Sequence, residues 1–323
     1  MSTQARGAKA QILIQQETAY KTLPTTPAAQ RVNFISCDLR ATREQEQSQT
    51  LRGDRNPSRA IRGNTDVAGN LVTELQAYNA LLWKAILGSV TTSGEAAPYT
   101  HVFKIGDTLP SLMIEKGFAD IGQYFRYLGC KVASMSFSVT PSGFQNQSIS
   151  FVGAKEAVAT GVFDANPANL GKQSFDGFAI ATIQEGGVDI ANVVGIDNLT
   201  INNDLDTEQY SVGGAGERDD LPEGLVTVSG TLRARFTSMA LYTKAINDTE
   251  SSLLIKYQLG TGVGTAGNES LEIVIPELTY APSSPAVDGP RGVLVELPFV
   301  AYFEDGTGSS ALQVTLKNTQ ATV

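Results

Sequence analysis

Apolar and polar side chains alternate over much of this chain, and that alternation constrains its fold more than any other feature. Apolar residues take every second position in five stretches: 135–139, 226–236, 271–275, 293–303 and 312–316. A period of two places one face of a strand in the core and the other in water, as in an antiparallel sheet. The polar positions hold mostly Ser, Thr, Asn and Gln. The chain is therefore predicted to be mainly β.

Two segments have a helical period instead. Apolar side chains recur every three or four residues from Leu71 to Ile86, and Gly88 is placed to end a helix there. A shorter helix is predicted from about Ser238 to Ala245, with Thr237 or Ser238 as its cap.

Composition excludes several functional classes. The 323 residues predict about two domains, and a net charge of −9 argues against a protein that grips nucleic-acid phosphates. Two cysteines rule out a disulfide scaffold, and a single histidine leaves little for a metal centre or His-based catalysis. No signal peptide or apolar run of about 20 residues is present, so a soluble protein made in a reducing cytoplasm is expected, with free thiols.

Motifs that could carry chemistry are weak. The sequence Gly262–Gly267 matches a dinucleotide fingerprint by letter, but an alternating strand pattern follows it where a helix is required, so a hairpin loop is predicted. Asp204, Asp206 and Glu208 lack the spacing of a calcium loop. His101 is predicted to be a surface or strand-end residue. No catalytic, cofactor-binding or metal-binding residues are assigned, and the protein is expected not to be an enzyme.

Two long loops interrupt the strands, at about 40–65 and 203–223. The first contains six arginines and almost no aliphatic side chains. Loops of this length without a core of their own are either disordered or ordered by a partner.

An internal repeat is predicted at an offset of 160 to 163 residues. The sequence Val67–Leu71 matches Val228–Leu232, and Gly53–Asn56 matches Gly216–Asp219. A hairpin around Gly143 has a counterpart around Gly306. The chain is accordingly divided into an N-terminal arm (1–29), a first domain (30–155), a linker (156–189) and a second domain (190–323). The alternative is two unrelated β segments that share common turn chemistry.

The chain resembles bacteriophage tail tube proteins. The likeness is carried by Gly69-Asn70-Leu71 with Leu75, Leu82 and Gly88, and by Tyr127–Val132 with its alternating continuation to Phe151-Val152-Gly153. The resemblance covers 30–155 well and 190–320 more weakly. It implies tandem antiparallel β-sandwich or β-barrel domains, each with a flanking α-helix and a long loop.

The resemblance also implies a structural role without catalysis. Tube subunits form six-fold or pseudo-six-fold rings whose inner sheets join edge to edge, and the stacked rings conduct the genome. Tips of the long loops then become candidate contacts between rings: Arg52, Asp54, Arg55, Glu217, Arg218 and Asp219. The polar sides of two strands become candidates for the lumen: Ser134, Ser136, Ser138, Thr227, Ser229 and Thr231.

Partners follow from the same resemblance. They are further copies of the chain, transiting DNA and the tape measure protein in the lumen, and tail terminator and baseplate proteins, with no membrane. A duplicated tube domain favours a homotrimeric, pseudo-hexameric ring, with a homohexamer as the alternative. The protein is expected in the virion tail, assembled in the host bacterial cytoplasm. Alternative functions are a terminator or baseplate adaptor ring, and an adhesion or carbohydrate-binding β-sandwich.

Overall fold

The computed structural model describes residues 4–287, 289–304 and 310–323. The strands of the first half are β1 (Ala10–Gln16), β2 (Gln30–Val32), β3 (Ser36–Cys37), β4 (Arg40–Glu46), β5 (Ile61–Glu74), β6 (Gly88–Ser93), β7 (Tyr99–Ile105), β8 (Leu112–Phe118), β9 (Gln123–Val139), β10 (Asn146–Gly153) and β11 (Lys155–Ala159). They are followed by β12 (Ala168–Asn169), β13 (Ile180–Glu185), β14 (Val188–Asp189), β15 (Val193–Asn202), β16 (Thr227–Arg235), β17 (Ser251–Gln258), β18 (Ser270–Tyr280), β19 (Leu294–Ala301) and β20 (Gln313–Asn318). The α-helices are α1 (Ala80–Leu87) and α2 (Ala240–Ile246), and short 3-10 helices span Gly7–Lys9 and Gly177–Ala179. The mainly β prediction is confirmed.

One sheet has the strand order β12-β2-β1-β8-β9-β11. Its strand β1 comes from the segment predicted to be an N-terminal arm. Residues Ala10–Gln16 pair with β8 along their whole length, and Ile12, Leu13 and Ile14 are fully buried. The segment is thus an integral strand, since three consecutive buried aliphatic side chains stabilise it in place.

The long strand β9 belongs to both sheets. Its first half pairs with β8 and β11, and its second half pairs with β10 and β15. Gly129 lies between the two halves with φ +65°, and a side chain there would lie 3.0 Å from Ala154 and 3.1 Å from the ring of Tyr20. Glycine allows both the left-handed backbone and the close packing at this bend.

The second sheet connects the two halves of the chain. Its main run is β4-β5-β10-β9-β15-β16-β19-β18. Among the described residues, two pairings cross from the first half to the second, β9 with β15 and β7 with β20. Buried side chains from both halves form one cluster.

In the segment predicted as a linker, β13 pairs with β17. The tandem-domain division stays a prediction, and the two halves share sheet and core.

The two predicted hairpins have different outcomes. The first is confirmed, because β9 and β10 pair antiparallel across the turn at Pro141–Gly143. The second is wrong, because β20 pairs with β18 and β7, while β19 pairs with β16 and β18. Its predicted turn residues Asp305 and Gly306 lie outside the described residues.

Helix α1 is shorter than the apolar period indicates. It begins at Ala80, and Gly88 ends it with φ +85°, as predicted. Residues 71–74 belong to β5 instead, where Leu71 pairs with Ile149 of β10. Val72 and Thr73 are β-branched, and a partner strand is available, so sheet pairing outweighs the helical pattern. The second helix is confirmed as α2, with the Ala240 N–H donating to Ser238 Oγ at 3.4 Å. In the described part of the chain, neither helix is long and apolar enough to cross a membrane.

Candidate functional site

One side of the second sheet carries mostly polar side chains across six adjacent strands: β5, β10, β9, β15, β16 and β19. We call this side the polar face. The residues that alternate with its side chains point into the core. On β9 these are Met135, Phe137 and Val139, at most 4% exposed, and on β16 they include Val228 and Leu232. The periodicity therefore fixes which side of each strand faces away from the core.

Register aligns the outward side chains into rows across the strands. One row runs from β10 to β19 through Ser148, Ser136, Thr200, Ser229 and Val300. A second row runs from β5 to β16 through Asn70, Ser150, Ser134, Asn202 and Thr227. These rows are built mostly of small hydroxyl and amide side chains, which bind water and carry no charge.

The six predicted lumen residues lie on this face. Ser134, Ser136 and Ser138 are on β9, and Thr227, Ser229 and Thr231 are on β16. Strand β15 lies between them. Their role in a lumen stays a prediction.

Sequence reasoning missed the contribution of β15. Its side chains Thr200 and Asn202 complete the rows. A signal was present, because Leu199 and Ile201 alternate with them and are 1% exposed.

Charge on the polar face is nearly balanced. The Arg233 guanidinium lies 3.2 Å from an Asp197 carboxylate oxygen and 3.2 Å from a Glu296 carboxylate oxygen. All three side chains are partly exposed to water, which screens their attraction, so the cluster adds little to stability. The exposed Arg235 on the same side of β16 offsets the second carboxylate, so this part of the face is close to neutral.

The first predicted loop contains a β-hairpin. Residues 40–46 form β4 and pair with β5, so only 47–60 form the connecting loop. We call residues 40–66 the arm and 47–60 its tip. In the tip, Arg52, Asp54 and Arg55 are exposed, and Arg52 lies 3.7 Å from Asp54. Their proposed contacts with neighbouring rings stay a prediction.

The second predicted loop packs against the first half of the chain. Arg218 is 5% exposed and lies 2.6 Å from the Asp66 carboxylate. It also donates to the carbonyl oxygens of Thr207 and Gly153 at 2.7 and 3.0 Å. This guanidinium is therefore engaged within the subunit, unlike the free loop tip expected from the sequence.

The flanking acidic residues of this loop face a lysine. Lys21 Nζ lies 3.2 Å from Glu217 and 3.6 Å from Asp219, and it donates to the Arg218 carbonyl at 3.3 Å. The loop is thereby held against residues near the N-terminus. Whether Glu217 and Asp219 also contact another ring stays a prediction.

His101 is buried, and its prediction as a surface or strand-end residue is wrong. It lies within β7 with no exposed surface. Its Nε2 is 2.9 Å from the Gln320 carbonyl and 3.2 Å from Asn318 Oδ1, so this nitrogen carries the proton, and Nδ1 accepts from Thr92 Oγ1 at 2.8 Å. The pairing of β7 with β20 encloses the ring. A neutral imidazole is fully satisfied here.

Acid is expected to destabilise the fold through His101. Burial lowers the pKa of His101 from 6.5, so the unfolded chain binds a proton more readily than the folded chain. The free energy of unfolding is therefore highest above about pH 6.5 and decreases as the pH falls towards the pKa of His101 in the folded protein. Denaturant titrations between pH 7.5 and 5.5 should show this slope, and His101→Gln should lack it. An equal slope in both proteins would contradict the assignment, because the variant lacks the imidazole and keeps every other titrating group, including the buried Glu17 whose pKa is raised by desolvation.

Comparison with known proteins places this geometry in context. A family model described as phage tail tube protein matches residues 7–301. Among solved structures, the chain is similar to one in the cryo-EM structure of the anti-feeding prophage (AFP) baseplate, 6-fold symmetrised. The identity is 11% and the TM-score 0.32, over 51% of this chain and 100% of that chain. No curated protein sequence matches the chain. The family match covers most of its length, so the chain belongs to the phage tail tube protein family and is a component of the virion tail.

Proposed function

We propose that this protein is a structural subunit of a phage tail tube, forming stacked rings that conduct the genome, with the polar face lining the bore. The polar face carries the proposal. Its side chains are mostly small and uncharged, which suits a water-filled channel, and its nearly balanced charge offers DNA phosphates few cations to bind. The role is structural, without catalysis.

Ring closure would use the edges of the second sheet. The strand β4 pairs with β5 on one side only in the described part of the chain, and its side chains are largely exposed. An exposed edge strand readily pairs with another chain, and closing a ring of subunits removes such edges. Assembly would therefore protect the backbone groups of β4.

A trimer is the preferred stoichiometry. Each half of the chain contributes three strands to the polar face, β5, β10 and β9 from the first and β15, β16 and β19 from the second. Three chains would then present six such units around the bore, and a homohexamer is the alternative. The partners proposed are stacked copies of the ring, transiting DNA and the tape measure protein in the lumen, and the terminator and baseplate proteins at the ends. Assembly would take place in the host bacterial cytoplasm.

Electron microscopy of the purified chain, with native mass spectrometry, tests this proposal. Stacked rings of three chains are expected at high protein concentration. Six chains per ring would contradict the proposed trimer but would still support the proposed tube function. Single rings that never stack would favour a terminator or baseplate adaptor, and a stable monomer at every concentration would overturn the tube assignment.

A further inference from the structure

An apolar groove lies at one end of the second sheet. It has a volume of about 670 Å³, and its lining comes from the end of α1, the segment after β7, the start of β16 and the end of β19. The apolar lining includes Leu87, Leu109, Leu225, Val300 and Phe303. Leu225 is 82% exposed, Val300 55% and Phe303 46%. A cluster of exposed apolar side chains that lines one groove indicates an interaction surface.

Two exposed phenylalanines lie at the opposite end of the same sheet. Phe144 lies in the turn between β9 and β10 and is 61% exposed, and Phe178 lies in a short 3-10 helix and is 85% exposed. Their segments are neighbours, because Phe144 forms an antiparallel bridge with Asp176 and the Gly177 N–H donates to the Gly143 carbonyl at 2.9 Å. We call Phe144 and Phe178 the aromatic knob.

Hydrogen bonds hold the backbone of the aromatic knob in place. The buried Gln145 amide fixes the turn, because its oxygen accepts from the Thr140 N–H at 2.9 Å and its nitrogen donates to the Thr140 carbonyl at 3.2 Å. The Asp176 carboxylate accepts from the Phe178 and Ala179 N–H groups, both at 2.9 Å. Aromatic side chains on an ordered backbone have little conformational entropy to lose on binding, which makes them effective anchors.

Strand register gives the separation of the knob and the groove. Thr227 in the groove lining is in the same row as Ser150 of β10, and Phe144 lies six residues before Ser150. Six residues correspond to about 20 Å along the strands, and the three spacings from β10 to β16 correspond to about 14 Å across them. The line from groove to knob is therefore inclined to the strands by about 35°.

This inclination matches the stacking of copies along a tube. Strands of a closed barrel tilt by about 35–45° from the barrel axis. A copy that is displaced along the axis is therefore displaced both along and across the strands of the copy below it. The knob of one copy and the groove of the next are separated in the same two directions.

The direction of the displacement also agrees. The Asn203 N–H donates to the Ala133 carbonyl, and the Asn203 side chain is buried on the core side. For L-residues this places β15 to the right of β9 when the core side faces the viewer and β9 runs upward. The groove then lies at the lower right and the knob at the upper left. Strands of right-handed twist lean to the right of the axis when a barrel is viewed from outside, so the knob lies above the groove along that axis.

The two ends of the sheet also differ in charge. At the groove end, Asp107, Asp204 and Glu304 are exposed. At the knob end, Arg235 is exposed where β16 ends, and Lys172 is exposed beside the end of β5. None of these five side chains forms an ion pair with a described residue. Head-to-tail stacking brings the opposite charges towards each other, which favours this orientation of the copies.

We propose that the groove binds the aromatic knob of a second copy of this chain in the adjacent ring, with Phe144 and Phe178 as the anchors. This inference rests on the proposed function, because stacked rings place one end of the sheet against the other end of the next copy. The contact is heterologous, since each chain offers its knob to one neighbour and its groove to another, and such contacts can repeat along a tube. One contact is small, but its repetition around each ring strengthens the junction between rings.

Disulfide trapping tests this contact. The chain carries Phe144→Cys and Leu225→Cys, with Cys37→Ser and Cys130→Ala to remove the native thiols. The matched control carries Phe144→Cys and Val158→Cys in the same background, because Val158 is 65% exposed but lies on β11 of the other sheet. Thermal unfolding verifies that the variants fold. Oxidation of stacked rings should give a ladder of covalent multimers for the first chain and little cross-linking for the control.

The length of the ladder separates the outcomes. A ladder that continues beyond the number of chains per ring supports docking between rings. A ladder that ends at that number shows a contact within the ring and overturns the inference, as do stacked rings that give no ladder; in both cases the proposed function stands. Unmodified chains that never form stacked rings would contradict the proposed function itself, and the inference would fail with it.

Removal of the aromatic knob is a second test, in which the native cysteines remain. Phe144→Ser with Phe178→Ser should leave the number of chains per ring unchanged. The variant should raise the protein concentration needed for stacking by about tenfold or more, because two apolar anchors are lost. Val158→Ser is the control and should stack like the unmodified chain. Native mass spectrometry measures the ring composition and light scattering measures stacking, and an unchanged concentration for the double variant would overturn the inference.

Discussion

Tubes built from a chain with Ser136→Lys, Thr200→Lys and Ser229→Lys are expected to retain double-stranded DNA that the unmodified tube releases. The three positions form one row across β9, β15 and β16, so the new ammonium groups would lie side by side on the polar face. Repetition around the ring would supply many phosphate contacts. Retention should be strongly salt-dependent, because about six to ten contacts lose on the order of 10³-fold or more in affinity between about 50 and 200 mM salt.

The measurement is DNA retained by purified tubes across a salt series, with electron microscopy to verify that the tubes are intact. The control places lysines at Ala157 and Val188, which are exposed residues outside the polar face. That variant has added positive charge but should release DNA like the unmodified tube. Equal retention by both variants would mean that the polar face does not line the bore.

Replacing Trp83 with alanine should lower the free energy of unfolding by about 3–5 kcal/mol. Trp83 lies on α1, is 1% exposed, and packs its ring edge-on against Phe137 of β9 with centroids 6.3 Å apart. The substitution would leave a large cavity between the helix and the buried side of the sheet whose other side is the polar face. Trp83→Phe should cost much less, because it keeps an aromatic ring in the site.

Denaturant unfolding followed by far-ultraviolet circular dichroism measures this change without depending on the lost tryptophan fluorescence. A loss below about 1 kcal/mol for Trp83→Ala would contradict the central role of this contact.

The burial of Trp83 argues against the alternative function of carbohydrate binding. The chain has one tryptophan, and it is enclosed in the core where no ligand can stack against it.

The strands could be predicted from the sequence because their evidence is local. Alternation in β9 and β16 identified buried positions such as Met135 and Val228, and the polar positions between them, without knowledge of any partner strand. Gly88 marked the end of α1 because a left-handed residue ends a helix wherever the helix lies. The family resemblance rested on these same local patterns.

Long-range features could not be predicted in this way. From the sequence, Arg218 was predicted to be a free loop residue. In the structure it binds Asp66 and the Gly153 carbonyl, which lie 152 and 65 positions away in the chain. His101 was expected near the surface, and only the pairing of β7 with β20 encloses it. The second hairpin failed for the same reason, because β20 pairs across the molecule rather than with its neighbour along the chain.

The half-buried antiparallel strands of this protein, with their serine- and threonine-rich outer faces, could be predicted from local sequence patterns alone. The period of two directly sets which side chains leave the core. That Ser136, Thr200 and Ser229 lie in one row is seen only in the folded molecule. Strand order and register depend on pairings between distant segments, and residues 64 positions apart, such as Ser136 and Thr200, meet only when the whole sheet has formed.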